Sequence, residues 1–295
     1  MVVGRIVLTA TYIAMQRLSS PIVAAALSSC LLLQLAACGS PYIEAERAIA
    51  SAIDGRCRTP ENKQRDIYRH PADTLALFSV QPDSAVLEIT PGFGWYTEIL
   101  APLLRARGRY VAAIYAPDSN DAAPNELLSA FRDKVRASPE CFDRSEVLLF
   151  DLAAPSLGAA SSMDRVLTFR NAHNWEDIHA AENMFRAIAE VLKPGGYLGV
   201  TDHRANPDDS VIPRGYIRES RVIELAQRAG LDFIDSSEVN ANPRDRKNYP
   251  VGVWALPPTL ALGATDAATY RAIGESDRMT LLFRKPTVES PQPTH

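Results

Sequence analysis

Ala85-Val86-Leu87-Glu88-Ile89 runs directly into Thr90-Pro91-Gly92-Phe93-Gly94-Trp95-Tyr96, and this stretch decides the fold. Its first five residues are apolar except for one carboxylate, which suits a short strand covered on both faces. A proline and two glycines stop the run, and Trp95 to Arg105 then carries a helical pattern despite Pro102. A buried strand that enters a helix through a glycine-bearing turn is the building unit of a parallel sheet. Two glycines two apart let the backbone approach a ligand with no β-carbon in the way. The helix N-terminus that follows offers unpaired N–H groups to a carboxylate or phosphate. Glu88, at the strand end, is placed to anchor an amine directly or through water.

Outward from this unit the alternation repeats. Tyr110 to Tyr115, Val147 to Phe150 and Arg165 to Phe169 are further continuous runs of strand type, read as covered on both faces. Met184, Phe185, Ile188, Val191 and Leu192 share one helical face, and Lys193-Pro194-Gly195-Gly196 stops that helix before a strand from Tyr197 to Thr201. Val222, Leu225, Ala226 and Ala229 form another helical stripe, capped by Gly230 ahead of a strand from Leu231 to Ile234, and Met279 to Phe283 is the last strand. The pattern predicts an α/β domain round a mostly parallel sheet, whose ligands bind beyond the carboxyl ends of the strands. No linker or repeat divides Arg58 to Pro286, which reads as one domain. Within it, Asn240 to Asp277 is a proline-rich insertion of the kind that forms binding loops or lids, and Trp254 and Tyr249 are its candidates to line an apolar pocket. Residues 38–57 read as a tether and N-terminal helix, and residues 287–295 as a loose tail.

At 295 residues, 46% hydrophobic and 22% charged, the chain can bury a substantial core. A formal charge of −4 gives no broad basic surface, so nucleic acid is not an expected partner. The first 37 residues contain Arg5 and Arg17 and no acid, so without them the balance moves from −4 to −6. Pro21 to Ala37 is almost wholly apolar or small, follows Arg17, and ends in small residues, which is the anatomy of a secretory signal. Leu35-Ala36-Ala37-Cys38 resembles the lipobox of bacterial lipoproteins, whose cysteine is acylated and becomes the first mature residue. Met15 opens a tidier signal than Met1 does, so translation is expected to begin there. The resemblance implies an exported chain, lipid-anchored through Cys38 in the periplasm; Gly39 after the cysteine favours the outer membrane. Cys57 and Cys141 remain, either as a disulfide or as two unrelated thiols. No cysteine or histidine spacing points to a metal site.

Hydrophobic-hydrophobic-Glu88 followed by Gly92-Phe93-Gly94 resembles the first motif of class I S-adenosylmethionine-dependent methyltransferases. Leu192-Lys193-Pro194-Gly195-Gly196-Tyr197-Leu198 resembles their late helix-to-strand turn, Asp151-Leu152 the position that contacts adenine, and Asp164 to Trp175 their fourth motif. A closer resemblance, over nearly all of Arg58 to Pro286, is to predicted bacterial methyltransferases, many with signal sequences. It rests on Glu61-Asn62, Tyr68-Arg69-His70-Pro71, Glu88 to Tyr96, Phe169 to Trp175, Asp202-His203-Arg204-Ala205 and Gly274-Glu275-Ser276-Asp277-Arg278. The resemblance implies a Rossmann-like fold with seven strands, helices on both faces and a final antiparallel strand. It implies S-adenosyl-L-methionine as cofactor, held by Glu88, Thr90, Pro91, Gly92, Gly94, Tyr96, Asp118, Asp151, Leu152, Arg170 and Asn171, and a small-molecule acceptor.

Two features depart from the pattern. Thr90-Pro91 stands where the loop's first glycine is usual, and the strand ending at Tyr115 lacks the acid that normally holds the ribose, leaving Asp118 to reach back. For chemistry, His173 is the candidate general base, with His203 and Asp202 as a second polar wall and His70 closing over the site. The same histidines could instead cap strand ends through backbone bonds. A second reading, of another class, is an exported binding lipoprotein that keeps the fold and pocket without catalysis. A nicotinamide-dependent oxidoreductase ranks last, because the third glycine of Gly-x-Gly-x-x-Gly would fall at Thr97.

Overall fold

The computed structural model describes residues 41–117 and 122–287. The expected signal segment, Cys38, Asp118 and residues 288–295 lie outside the described residues. Seven strands form one sheet: β1 (Ala85–Ile89), β2 (Arg109–Tyr115), β3 (Ser145–Phe150), β4 (Met163–Phe169), β5 (Leu192–His203), β6 (Asp232–Ser236) and β7 (Arg278–Arg284). Their order is β3-β2-β1-β4-β5-β7-β6. Strands β1 to β5 pair in parallel, whereas β7 runs antiparallel to both β5 and β6. The expected architecture is therefore present, including the antiparallel last strand.

Strand order reverses at β1, which has β2 on one side and β4 on the other. The crossovers leave in opposite directions there, so a crevice opens beyond the carboxyl ends of β1 and β4. Side-chain alternation along β1 splits the core in two. Leu87 and Ile89 join Met184, Phe185, Ile188, Val222 and Leu225 on one face. Val86 joins Ile99, Leu100, Leu104, Phe131 and Phe78 on the other. Glu88 shares the Val86 face, so a carboxylate enters a core layer and must find partners inside it.

Glu46 groups with the residues that follow it in one compact unit. Helix Pro41–Asp54 places Ile49 and Ala52 in the second core cluster, and Cys57 packs against it. Phe78 crosses β5 so closely that a β-carbon on Gly199 would lie 2.5 Å from its ring. Two expectations need correction. Lys193-Pro194-Gly195-Gly196 ends the helix Ala181–Val191 but runs on as the first part of β5, with a register shift against β4 between Met163 and Arg165. Strand β3 sits at the sheet edge, so Val147 and Leu149 remain 37% and 41% exposed rather than covered on both faces.

Cys57 and Cys141 form a disulfide across 84 positions of sequence, which settles the open choice between a pair and two separate thiols. Closing so long a loop restricts the unfolded chain and is worth about 2–5 kcal/mol. Reduction, or Cys141→Ser, is expected to lower unfolding free energy within that range in denaturant titrations, with an unchanged far-ultraviolet spectrum before the transition.

Candidate functional site

A cavity of 1010 Å³ opens at the carboxyl ends of β1 to β4, where the strand order reverses. The loop after β1 forms its floor. Thr90 there takes a φ of +48°, the left-handed region that β-branched residues rarely enter. Its amide donates to Ala113 O at 2.7 Å, which ties the loop to β2 and holds that backbone in place. Threonine thus keeps a left-handed turn at the position where the resembled motif has glycine. Gly92, at φ +58°, faces the cavity, and a β-carbon built on it would meet nothing within 4 Å. Gly94 does not line the cavity; its β-carbon would meet Lys134 at 3.0 Å and Thr97 at 3.3 Å, so this glycine serves packing. The two glycines therefore divide the work, one toward a ligand and one toward the helices.

Glu88 is 2% exposed and still reaches the cavity wall. Its Oε2 accepts hydrogen bonds from Tyr110 Oη at 2.5 Å and Thr97 Oγ1 at 3.1 Å. Burial pushes its pKa up to about 7, against the pull of those two donors. The carboxyl group is therefore poised near neutrality, and a cation brought to it would fix it in the ionised form. At the other end of the cavity, Tyr115, Phe150, Asp151 and Leu152 from the tips of β2 and β3 form a slot with an apolar wall and one carboxylate. The tip of β2 carries Tyr115, whose Oη accepts from Trp175 Nε1 at 2.9 Å, where an acid is usual in the resembled motif.

Tyr96, Arg170 and Asn171 also line the cavity. Asn171 Nδ2 donates to Ile89 O at 2.9 Å and Thr168 Oγ1 at 3.1 Å, clamping the exits of β1 and β4 together at the crevice. Tyr96 stacks on Phe169 with ring centroids 3.6 Å apart, which builds an aromatic wall between the β1 loop and β4.

His173, Asp202 and His203 come together, but none of the three lines the cavity. His173 Nδ1 lies 2.6 Å from Asp202 Oδ1, and the same carboxylate accepts from the amides of Ala172, His173 and His203. Four bonds to a fully buried carboxylate draw the two strand exits inward. The two imidazole rings are 5.0 Å apart, and the Trp254 ring stands 6.3 Å from His173, on the cavity side. Burial, then His173, Arg170, Arg278 and Arg69, hold the His203 pKa well below the ordinary imidazole value, so this ring is neutral. His70 joins two helices at φ +37° and does not line the cavity. His173, Asp202 and His203 are likewise absent from the cavity lining, where the sequence had placed a base and a polar wall. Trp254 lines the cavity, whereas Tyr249 packs edge-on against Tyr270 inside the insertion.

Two motifs distant in sequence, Tyr68-Arg69-His70-Pro71 and Gly274-Glu275-Ser276-Asp277-Arg278, meet beside the cavity, which Arg69 lines. Glu275 accepts from Arg65 Nε at 2.8 Å and Arg69 Nε at 2.9 Å, and pairs with Arg278 Nη1 at 3.0 Å. Burial raises its pKa, but Arg69, Arg278, Arg65 and Arg170 outweigh that and hold it at about 2. Gly274, at φ +91°, lets the Tyr68 ring approach to where a β-carbon would be 2.6 Å away. The recurrence of charged residues in both motifs was the signal available. Trp95, held between the guanidinium groups of Arg58 and Arg69 at 4.8 Å each, completes this end.

A positioning role for His173 predicts that His173→Ala lowers the melting temperature by several degrees. Ligand affinity at the cavity, measured by calorimetry, is expected to change less than about threefold.

No family model matches the chain, and no curated protein matches it. Solved structures do. A methyltransferase from Aquifex aeolicus, described as S-adenosylmethionine-dependent, is 19% identical, with a TM-score of 0.50 over 64% of this chain and 92% of that one. The [4+2]-cyclase SpnF is 17% identical, with a TM-score of 0.53 over 83% of this chain and 93% of that one. Two activities on one architecture show that the fold alone does not name the reaction. With its strand order and its crevice between β1 and β4, the chain has the fold of the class I methyltransferases.

Proposed function

We propose that this protein is an S-adenosylmethionine-dependent methyltransferase acting on a small molecule. The observation that carries the reading is the loop after β1: Gly92 lies open on the cavity wall at φ +58°, beside the buried Glu88 carboxyl, at the point where strand order reverses. The residues present fit the cofactor's chemistry. Gly92 leaves a cradle for its backbone-like chain, Glu88 is the counter-charge for its ammonium, and Tyr115, Phe150, Asp151 and Leu152 offer a slot for a flat base with one acceptor. When bound, this cofactor supplies an electrophilic methyl group on a sulfonium. The chain's own part is positioning: the Asn171 clamp fixes the two strand exits, and the Tyr96–Phe169 stack and Trp254 exclude water from the approach. His173 and Asp202 act by positioning, tying the exits of β4 and β5 together beside Trp254.

The proposal includes export and anchoring through acylated Cys38. It is supported by the apolar segment and lipobox-like residues at 35–38 and by the Cys57–Cys141 disulfide, a bond that persists in oxidising compartments.

Calorimetric titration of the full chain in detergent with S-adenosylmethionine and S-adenosylhomocysteine tests the reading. Micromolar binding, weakened at least tenfold in Gly92→Val, is the expected result; absence of binding by a folded sample overturns it. The pH dependence has a fixed sign. Protonation of Glu88 removes the counter-charge for the ammonium, so affinity falls as pH drops below about 7, and Glu88→Gln flattens the profile.

A further inference from the structure

Arg170 leaves β4 at φ +62°, and its guanidinium lines the cavity. Among the described residues it makes no hydrogen bond and no ion pair, and its Nε is buried without a partner. Such a group is costly to keep, because a half-buried charge with nothing opposite it loses part of its hydration and gains no partner. Arg69 stands in the same wall, 3% exposed. Its Nε is used by Glu275, while its Nη2 is buried and unpartnered.

The surroundings make matters worse for Arg170. Around it stand Arg65, Arg69 and Arg278, and one carboxylate, Glu275, already bonded by those three. Four guanidinium groups thus share a single negative charge. Burial, followed by repulsion from Arg69, pulls the pKa of Arg170 down to about 9. The carboxylates on the cavity wall, Glu88, Asp151 and Asp177, form no ion pair with either arginine. Glu88 is bonded by Tyr110 and Thr97, and Asp151 by the Ala153 amide. The structure therefore holds a net positive corner inside the cavity, with free donors pointing from planar groups.

We propose that Arg170, with Arg69 beside it, is the binding site for an oxyanion, a carboxylate or phosphate carried by the methyl acceptor. Guanidinium groups are the natural hosts for such groups, since their parallel N–H donors match two oxygens at once. The acceptor, not the cofactor, is the assigned source because of where the corner is built, which moves Arg170 out of the cofactor set that the family resemblance implied. Arg69, Glu275 and Arg278 come from the N-terminal segment and the start of β7, whereas the cradle of Gly92, Glu88, Tyr115 and Asp151 belongs to β1, β2, β3 and the turns that follow them. Arg214, stacked over Trp254 at 5.2 Å, adds a further cation to the same cavity. The inference deepens the methyltransferase reading and rests on it for the identity of the anion's carrier.

The test uses the full chain in detergent, as wild type, Arg170→Gln and Arg170→Lys. Thermal unfolding is followed in inorganic phosphate against chloride of equal ionic strength, and S-adenosylhomocysteine is titrated with and without phosphate. The expected result is a phosphate-specific rise in wild-type melting temperature and at least tenfold weaker phosphate binding in Arg170→Gln, with partial retention in Arg170→Lys. Without phosphate, Arg170→Gln is expected to melt higher than wild type, because the unpaired charge is gone; a fold-damaging substitution would melt lower. Affinity for S-adenosylhomocysteine should stay within threefold in every case. No phosphate effect beyond that of chloride overturns the site. Competition between phosphate and S-adenosylhomocysteine, with both lost in Arg170→Gln, also overturns it, because the arginine then serves the cofactor's own carboxylate. An Arg170-dependent phosphate effect with no S-adenosylhomocysteine binding overturns the cofactor reading and leaves the anion site standing.

Discussion

The Glu275 carboxylate, buried among Arg65, Arg69 and Arg278, is the interaction on which the cavity depends. It draws the N-terminal segment onto the start of β7 and so closes the end of a crevice that parallel strands alone leave open. A buried carboxylate hydrogen-bonded by two guanidinium groups and ion-paired with a third is costly to break, since its removal leaves their charge uncompensated. The same knot fixes Arg69 against Trp95 and in the cavity wall. Structure and charge at this end therefore cannot be separated: what holds the segment down also makes the corner positive.

The opposite side of the crevice is governed by hydrogen-bond geometry. The left-handed Thr90, the open Gly92 and the buried Glu88 form one unit, fixed to β2 through Ala113 O and to β4 through Asn171. Glu88 is held in a core layer at a cost in desolvation, which the fold tolerates where a ligand cation can offset it. The cavity thus has one place suited to a positive group and another suited to a negative one. The ammonium of S-adenosylmethionine at the first and an anionic acceptor at the second match that distribution.

Much of the fold was legible because strand and helix periods repeat cleanly along the chain. Six of the seven strands fall on apolar runs visible in the sequence, whereas β6 (Asp232–Ser236) extends past the expected Leu231 to Ile234 into polar residues at the exposed sheet edge; the turn after Ile89 marks the crevice. Edge exposure of β3 was not legible, since Val147 to Phe150 reads as apolar whichever side of the sheet it occupies. In the site, Glu88, Gly92, Asp151, Leu152, Arg170 and Asn171 were found from position in the motifs, and they line the cavity. The histidines were harder, because a polar residue after a strand can point either into a pocket or back to the chain. Asp202 decides between these by collecting three backbone amides, and that depends on how β4 and β5 lie side by side. Arg69 and Glu275, 206 positions apart, meet only in the folded chain.

The most direct test of this account is a crystal structure of the protein grown with S-adenosylhomocysteine. The account predicts adenosine in the slot of Tyr115, Phe150, Asp151 and Leu152, the amino group at Glu88, and the Arg69–Arg170 corner left free of the cofactor. A cofactor carboxylate seated on Arg170, or a molecule bound away from Gly92, would contradict it.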